Sequence, residues 1–274
     1  MQEKIEKYGG AAMTASEEIE LIHHRLSEYL NHPYVSRFLP KPEIDKDKMS
    51  VYYFLFQLRT EPENVGSFVE SAMVAEIGLS THESMTNGTL ETKHGVTKRQ
   101  LTALSGDFYS ALYYYSLARK DDIEVVKWIA EAIQSFNVNK CRLYYPNHSQ
   151  NWNQALEALG AVESALVTRI ASKLGYTSWA SFLNDFFLVK KLILEHRKYS
   201  VKDSGSILFN YLMKRFTGDT ETFEQRLENE IRHLKARFFT RIGQEENRSD
   251  SPFQLVPYLK DKMQAYCQCK VGEG

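Results

Sequence analysis

Carboxylates grouped on one helical turn can share a hard divalent cation and present it to a diphosphate. Asp121-Asp122-Ile123-Glu124-Val125 opens that pattern, DDxxD. Its fifth position is valine, and no second acidic cluster completes a site. Two adjacent acids at a helix start more often answer the backbone dipole, so the pair reads as an N-terminal cap. His23-His24 and His82-Glu83 are the histidine groupings to test as metal ligands. Ligands on a helix must share a face, whereas neighbours point ~100° apart, so solvated or locally bonded histidines are expected. Cys141, Cys267 and Cys269 are odd in number and contain no CxxC pair. They suggest neither a disulfide framework nor structural zinc and read as reduced thiols.

Other chemistries lack their signatures. There is no GxSxG, and Ser105-Gly106 lies within a helical pattern rather than at a strand-to-helix elbow. Neither GxGxxG nor GxxxxGK[ST] occurs, so no loop of that kind cradles phosphate. Basic pairs such as Lys98-Arg99 are scattered, and 34 Lys plus Arg against 35 Asp plus Glu give a net charge of −1. That balance excludes a general attraction to nucleic acid or anionic lipid. The 274 residues are 43% hydrophobic and 25% charged, enough for a sizeable core. No stretch reaches the ~20 apolar residues of a membrane span, and the start lacks a secretory apolar segment, so a cytoplasmic location is expected.

The elements that would position any site are helices. Apolar residues recur at three- and four-residue steps almost throughout, with no competing alternation, so the fold class is all-α. A Thr14/Ser16 cap signal opens a helix over 15–30 with Ile19, Ile22, Leu26, Tyr29 and Leu30 on one stripe. The breaker HPYVSRFLPKP follows, then VYYFLFQL, a helix over 64–79 and a polar loop or frayed end over 80–95. Further helices are expected over 97–118 and 121–136, and from Trp152 to a stop near Gly175. Others run from Trp179 to Leu194, from Phe223 to Phe238, and after Ser251-Pro252. About nine helices result, with a flexible segment 1–14, one domain 15–268 and a tail 269–274.

SGDFYSALYYYSLA, residues 105–118, carries five aromatic rings and one charge, Asp107. On a helical wheel Leu101, Leu104, Phe108, Ala111, Leu112 and Tyr115 share a sector wide enough to anchor the helix on its own core. The opposite side holds Ala103, Gly106, Ser110, Tyr113, Tyr114 and Leu117. Small residues there would admit another helix closely, and tyrosines supply broad contact area with a polar tip. Either this chain covers both sides, or the second side is an interface.

QLTALSGDFYSALYYYSLA resembles the VLxGDxxxARA helix of trans-prenyl diphosphate synthases, and more closely the small, component I subunits of bacterial heptaprenyl diphosphate synthases. NHPYVSRFLPKPEIDKDK, IEVVKWIAEAI and WASFLNDFFLVKKLILEH are similar to the same subunits, in the same order, over roughly residues 15–265. The resemblance implies an isoprenoid-synthase-like helical bundle and a required partner. In such two-component enzymes the large subunit carries both DDxxD motifs, binds Mg²⁺ and adds isopentenyl diphosphate to farnesyl diphosphate, while the small subunit has no complete active site. At the matching places this chain offers STHESMTNG and LNDFF, with Asp185 alone.

No catalytic, cofactor-binding or metal residue is therefore assigned to this chain, and Mg²⁺ is expected on the large subunit. Gly106, Phe108, Tyr109, Ser110, Tyr113, Tyr114 and Leu117 are the candidate partner interface, with Asp107 in a structural or hydrogen-bonding role. The implied function is that of a noncatalytic subunit in long-chain prenyl diphosphate synthesis for menaquinone. Other readings are a stand-alone prenyl-lipid binder and a divergent active site built from Glu83, Asp121, Asp122 and Asp185. A homodimer in the partner's absence is compatible with an exposed interface.

Overall fold

The computed structural model describes residues 13–58, 60–85, 92–120, 122–145, 151–200, 207–216, 222–246 and 254–268. Among these residues every regular element is helical. Helix α1 (Ala15–Tyr29) starts where its capping signal predicts. The Thr14 hydroxyl accepts the Glu17 N–H at 3.3 Å, and the Glu17 carboxylate accepts the Thr14 N–H at 2.7 Å. Thr14 is thus held as a cap, while residues 1–12 and 269–274 of the expected flexible ends lie outside the described residues. After a 3-10 turn at Val35–Arg37 comes α2 (Lys46–Gln57), whose Asp45 cap accepts the N–H groups of Asp47 and Lys48. Met49 to Phe56 are buried on every side, which makes α2 a core helix rather than an amphipathic one.

Helix α3 (Pro62–Glu83) packs intimately on α4 (Lys93–Ala118). The approach is close because small residues meet. A Cβ added to Gly78 would lie 3.3 Å from the Ser110 hydroxyl and 3.5 Å from the Gly106 carbonyl. The expected polar loop over 80–95 shrinks accordingly: α3 continues to Glu83 and α4 starts at Lys93, capped by Thr92, with 86–91 outside the described residues.

Among the described residues eleven α-helices form rather than about nine. Helix α5 (Ile123–Tyr144) outruns its expected end. The helix expected from Trp152 divides into α6 (Trp152–Glu163) and α7 (Ala165–Lys173). The break is at Ser164, buried, whose hydroxyl donates to the Gly160 carbonyl at 2.8 Å and accepts from Asn184 Nδ2 at 3.0 Å. A hydroxyl bonded back one turn bends a helix. Helix α7 stops as expected at Gly175, which takes φ 95°; the Gly175 N–H reaches the Ser172 carbonyl and the Tyr176 N–H the Ala171 carbonyl. That pairing closes the helix end through a left-handed residue that glycine adopts without strain.

Helix α8 (Trp179–Ser200) is the hub, touching α6, α7, α10 (Phe223–Glu246) and α11 (Leu255–Gln268). Phe182, Leu183, Phe186, Val189 and Leu192 on it are fully buried in one apolar cluster that extends into every helix. Helix α9 (Ile207–Phe216) is the second addition to the expected set. It is short, and Phe209 and Leu212 bury it locally. Ser251-Pro252, expected to open the last helix, lies outside the described residues.

Candidate functional site

A cavity of about 330 Å³ opens between α2, α3, α8 and the end of α6. Its apolar wall includes Met73, Ile77, Phe187 and Leu194, and its polar wall is unusual in being ionic on both sides. Five carboxylates, Glu43, Asp45, Glu76, Glu163 and Glu195, face four ammonium groups, Lys48, Lys190, Lys191 and Lys198. Lys48 Nζ meets Glu76 Oε2 at 2.7 Å, and Lys190 Nζ meets both Asp45 Oδ1 and Asp47 Oδ2 at 2.6 Å. Lys191 Nζ bridges Glu163 at 3.4 Å and Glu195 at 3.3 Å.

The lysines of these pairs are charged. Burial is the largest single influence on Lys48, Lys190 and Lys191 and by itself would favour loss of the proton. The carboxylates around each one together outweigh it, so all three ammonium groups are held above the ordinary lysine range. At Asp47 burial likewise pushes upward, and the Lys190 ammonium with hydrogen bonds from Lys190, Tyr266 and Tyr258 reverses it, leaving the carboxyl below its ordinary range. Tyr258 donates to Asp47 Oδ1 at 2.8 Å, Tyr266 donates to Oδ2, and Tyr52 donates to Glu76 Oε1 at 2.6 Å. Burial first, then the neighbouring carboxylate, pushes all three phenols upward, so they remain donors.

Such a wall does not fit a Mg²⁺-diphosphate. A hard cation needs converging carboxylate oxygens, and here Asp45, Asp47, Glu76, Glu163 and Glu195 are each engaged by a lysine. Displacing a lysine would leave a buried ammonium uncompensated, which costs several kcal/mol, about 3–5 for a typical buried pair. The near-balance of charge also gives the cavity little net pull on an anion.

The acids singled out by sequence do not converge. Asp185 is fully buried and is not part of this cavity's lining; it makes ion pairs with Arg237 at 2.6 Å and Arg241 at 2.7 Å that join α8 to α10. Asp121 lies outside the described residues. Asp122 occupies the N-cap position of α5 without a side-chain cap bond, so the expected capping is not made by this residue. Glu83 sits near Glu163: burial and then that neighbour push its carboxyl upward against the pull of Lys140, Lys191 and Lys48. The adjacent His82 goes elsewhere, its Nε2 3.4 Å from Asp107 Oδ1 on α4. His24 pairs with Glu28 at 3.6 Å on the surface. Sequence reasoning missed the lysines of α2 and α8; their only signal was four charges, Lys48, Lys190, Lys191 and Glu195, at positions where a core helix should be apolar.

Helix α4 has two faces, and they fall largely opposite to the helical-wheel assignment, although Leu112 does pack against the core and Tyr114 is exposed. Gly106, Tyr109, Tyr113 and Leu117 are buried within this chain, and Ser110 is half-buried against Gly78. The Gly106 position is in contact with the His82 ring: a Cβ there would lie 2.6 Å from it. The small residues therefore admit α3, not a foreign helix. Conversely, Leu104 (62% exposed), Phe108 (50%) and Tyr115 (58%), assigned to the core by spacing, form a stripe facing outward, with Tyr114 (57%) beside it. Of the seven candidate interface residues, only Phe108 and Tyr114 present themselves to solvent. Next to the stripe, a groove of about 340 Å³ runs between α1, α3 and α4, lined by Tyr29, Val74, Leu112 and Ser116, with the Arg25–Glu70 pair (2.7 Å) at its edge.

A family model described as heptaprenyl diphosphate synthase (HEPPP synthase) subunit 1 matches residues 32–242. A heptaprenyl diphosphate synthase component 1 from Geobacillus stearothermophilus is 30% identical over 153 residues, 56% of this chain and 67% of that protein. Among solved structures, a geranyltransferase from Helicobacter pylori superposes with a TM-score of 0.65 at 12% identity, covering 92% of this chain and all of the other. A decaprenyl diphosphate synthase from Rhodobacter capsulatus gives 0.59 at 12% identity, covering 92% and 95%. The structural likenesses establish the all-α isoprenyl synthase fold.

Proposed function

The chain belongs to the heptaprenyl diphosphate synthase subunit 1 family, and from that premise we propose that it is the noncatalytic subunit of a two-component prenyltransferase. Its partner is a large subunit that carries the aspartate motifs and Mg²⁺ and extends farnesyl diphosphate with isopentenyl diphosphate. Together they make a long-chain, heptaprenyl product for the menaquinone side chain, in the cytoplasm. Among the described residues no helix is long and apolar enough to cross a membrane.

One observation carries the reading: in the cavity between α2, α3 and α8 the carboxylates of Asp45, Glu76, Glu163 and Glu195 are each paired with one of the chain's own lysines. Ionising an allylic diphosphate requires a cation to take up charge on the leaving group, and this wall offers no free ligand set for one. What this chain supplies instead is surface, and the apolar stripe of α4 is the natural place for the partner. Co-expression with the large subunit, followed by assay of each chain separately and together, tests the proposal. Turnover and heptaprenyl product are expected only from the pair; chain elongation by this subunit alone at a rate comparable to the pair overturns it.

A further inference from the structure

His196 lies in the last two turns of α8, and Glu224 and Glu228 lie in the first two turns of α10. The two glutamates are four residues apart, so they share a helix face, and α8 packs on α10. His196 Nε2 is sealed from solvent and points at both carboxylates, 3.5 Å from Glu224 Oε1 and 3.8 Å from Glu228 Oε1. One ligand atom from each residue lies within 4.8 Å of the other two.

Those separations are informative. A charge-assisted N–H···O⁻ bond closes to about 2.7–2.9 Å, well inside both distances. Two ligands each about 2.1 Å from one tetrahedral ion stand about 3.4 Å apart. The spacing therefore matches groups that share a cation better than groups that share a proton. We propose that His196, Glu224 and Glu228 form a binding site for a first-row divalent cation, zinc foremost, that clasps α8 to α10.

The ligand chemistry selects the ion. One imidazole nitrogen with two carboxylates suits Zn²⁺ or Co²⁺, whereas Mg²⁺ prefers oxygen alone and keeps its waters. The histidine supplies the fixed ligand. The glutamates, half-exposed, supply the two that close in on the shared ion, and water fills the open position. Glu224 is also anchored: its neighbour Phe223 is buried in an aromatic cluster with Phe209 at 5.6 Å, Trp152 at 6.0 Å and Tyr199 at 6.3 Å. A cation here would tie together the two ends of the segment 197–223 and favour the folded state by mass action. The site is separate from the lysine-lined cavity, and the inference does not depend on the proposed pairing with a large subunit.

The test uses the full chain, stripped with chelator, with Cys141, Cys267 and Cys269 replaced by serine to remove thiol ligands. Titration calorimetry with Zn²⁺ is expected to give one site, with a raised thermal midpoint and no competition from a large excess of Mg²⁺. Co²⁺ should bind with the intense visible absorption of a four-coordinate ion. Glu228→Gln and His196→Gln should each weaken Zn²⁺ binding at least about tenfold, with the helical circular dichroism in chelator unchanged. Should a variant prove unfolded in chelator, Glu224→Gln, half-exposed, serves in its place. Absence of Zn²⁺ binding, or equal binding by folded wild type and variants, overturns the proposal and leaves His196 as an ordinary partner of two glutamates.

Discussion

Glu83 keeps one carboxylate oxygen, Oε1, sealed from solvent with no hydrogen-bond partner among the described residues. Its carboxyl is pushed above the ordinary range by burial and by Glu163, so the fold tolerates it best when protonated. The stability tied to this group is fully present below the unfolded value of 4.5 and is lost as pH rises through the raised folded value. Glu83→Gln should therefore stabilise the chain near neutral pH, by about 1 kcal/mol if the amide recovers part of the orphan's desolvation cost. The gain should vanish in mild acid; urea melts at the two pH values check both. Gly106 offers a second residue-scale test. Alanine in a helix gains about 1 kcal/mol over glycine, but here its Cβ would meet the His82 ring at 2.6 Å and drive it off Asp107. Gly106→Ala is expected to be neutral or destabilising alone and stabilising by about 1 kcal/mol in a His82→Ala background, read in a double-mutant cycle. Neither residue's role was legible in sequence, because each depends on what α3 and α4 place opposite it.

At the scale of elements, the caps and stops were the legible part. Thr14 with Glu17, and Gly175 after α7, act through neighbours within a few residues, so their signals survive in the sequence. Ser164 could not be read as a break because Asn184, which bonds it, comes from another helix. The faces of α4 failed for a related reason: periodicity finds two faces but does not say which one the rest of the chain covers, and glycine and serine proved to be contacts for α3. The outward stripe carries the element-scale prediction. Phe108→Asp with Tyr115→Asp should change the monomer's stability by less than about 0.5 kcal/mol, the range for exposed sites, while abolishing capture by the large subunit. Tyr113→Ala, an inward change, should instead cost about 3–5 kcal/mol. Urea melts and co-purification separate the two outcomes, and a stripe variant that still pairs normally would remove α4 from the interface.

For the whole molecule, helical periodicity was enough to give the all-α class, because it is a property of each segment by itself. The cavity was not legible, since Lys190 finds Asp45 across 145 residues and no local pattern announces a pairing of that range. The balance it creates extends to the full chain, whose 34 basic and 35 acidic residues nearly cancel. From Leu104 to Tyr115 the stripe of α4 includes one charged residue, Asp107, and that carboxylate already faces His82. A surface of this kind exerts almost no field on an approaching protein. Encounter with the partner should then proceed without electrostatic steering, at about 10⁵–10⁶ M⁻¹s⁻¹. Stopped-flow mixing should find that rate nearly flat as sodium chloride is raised, whereas sulfate, which strengthens apolar burial, should slow dissociation.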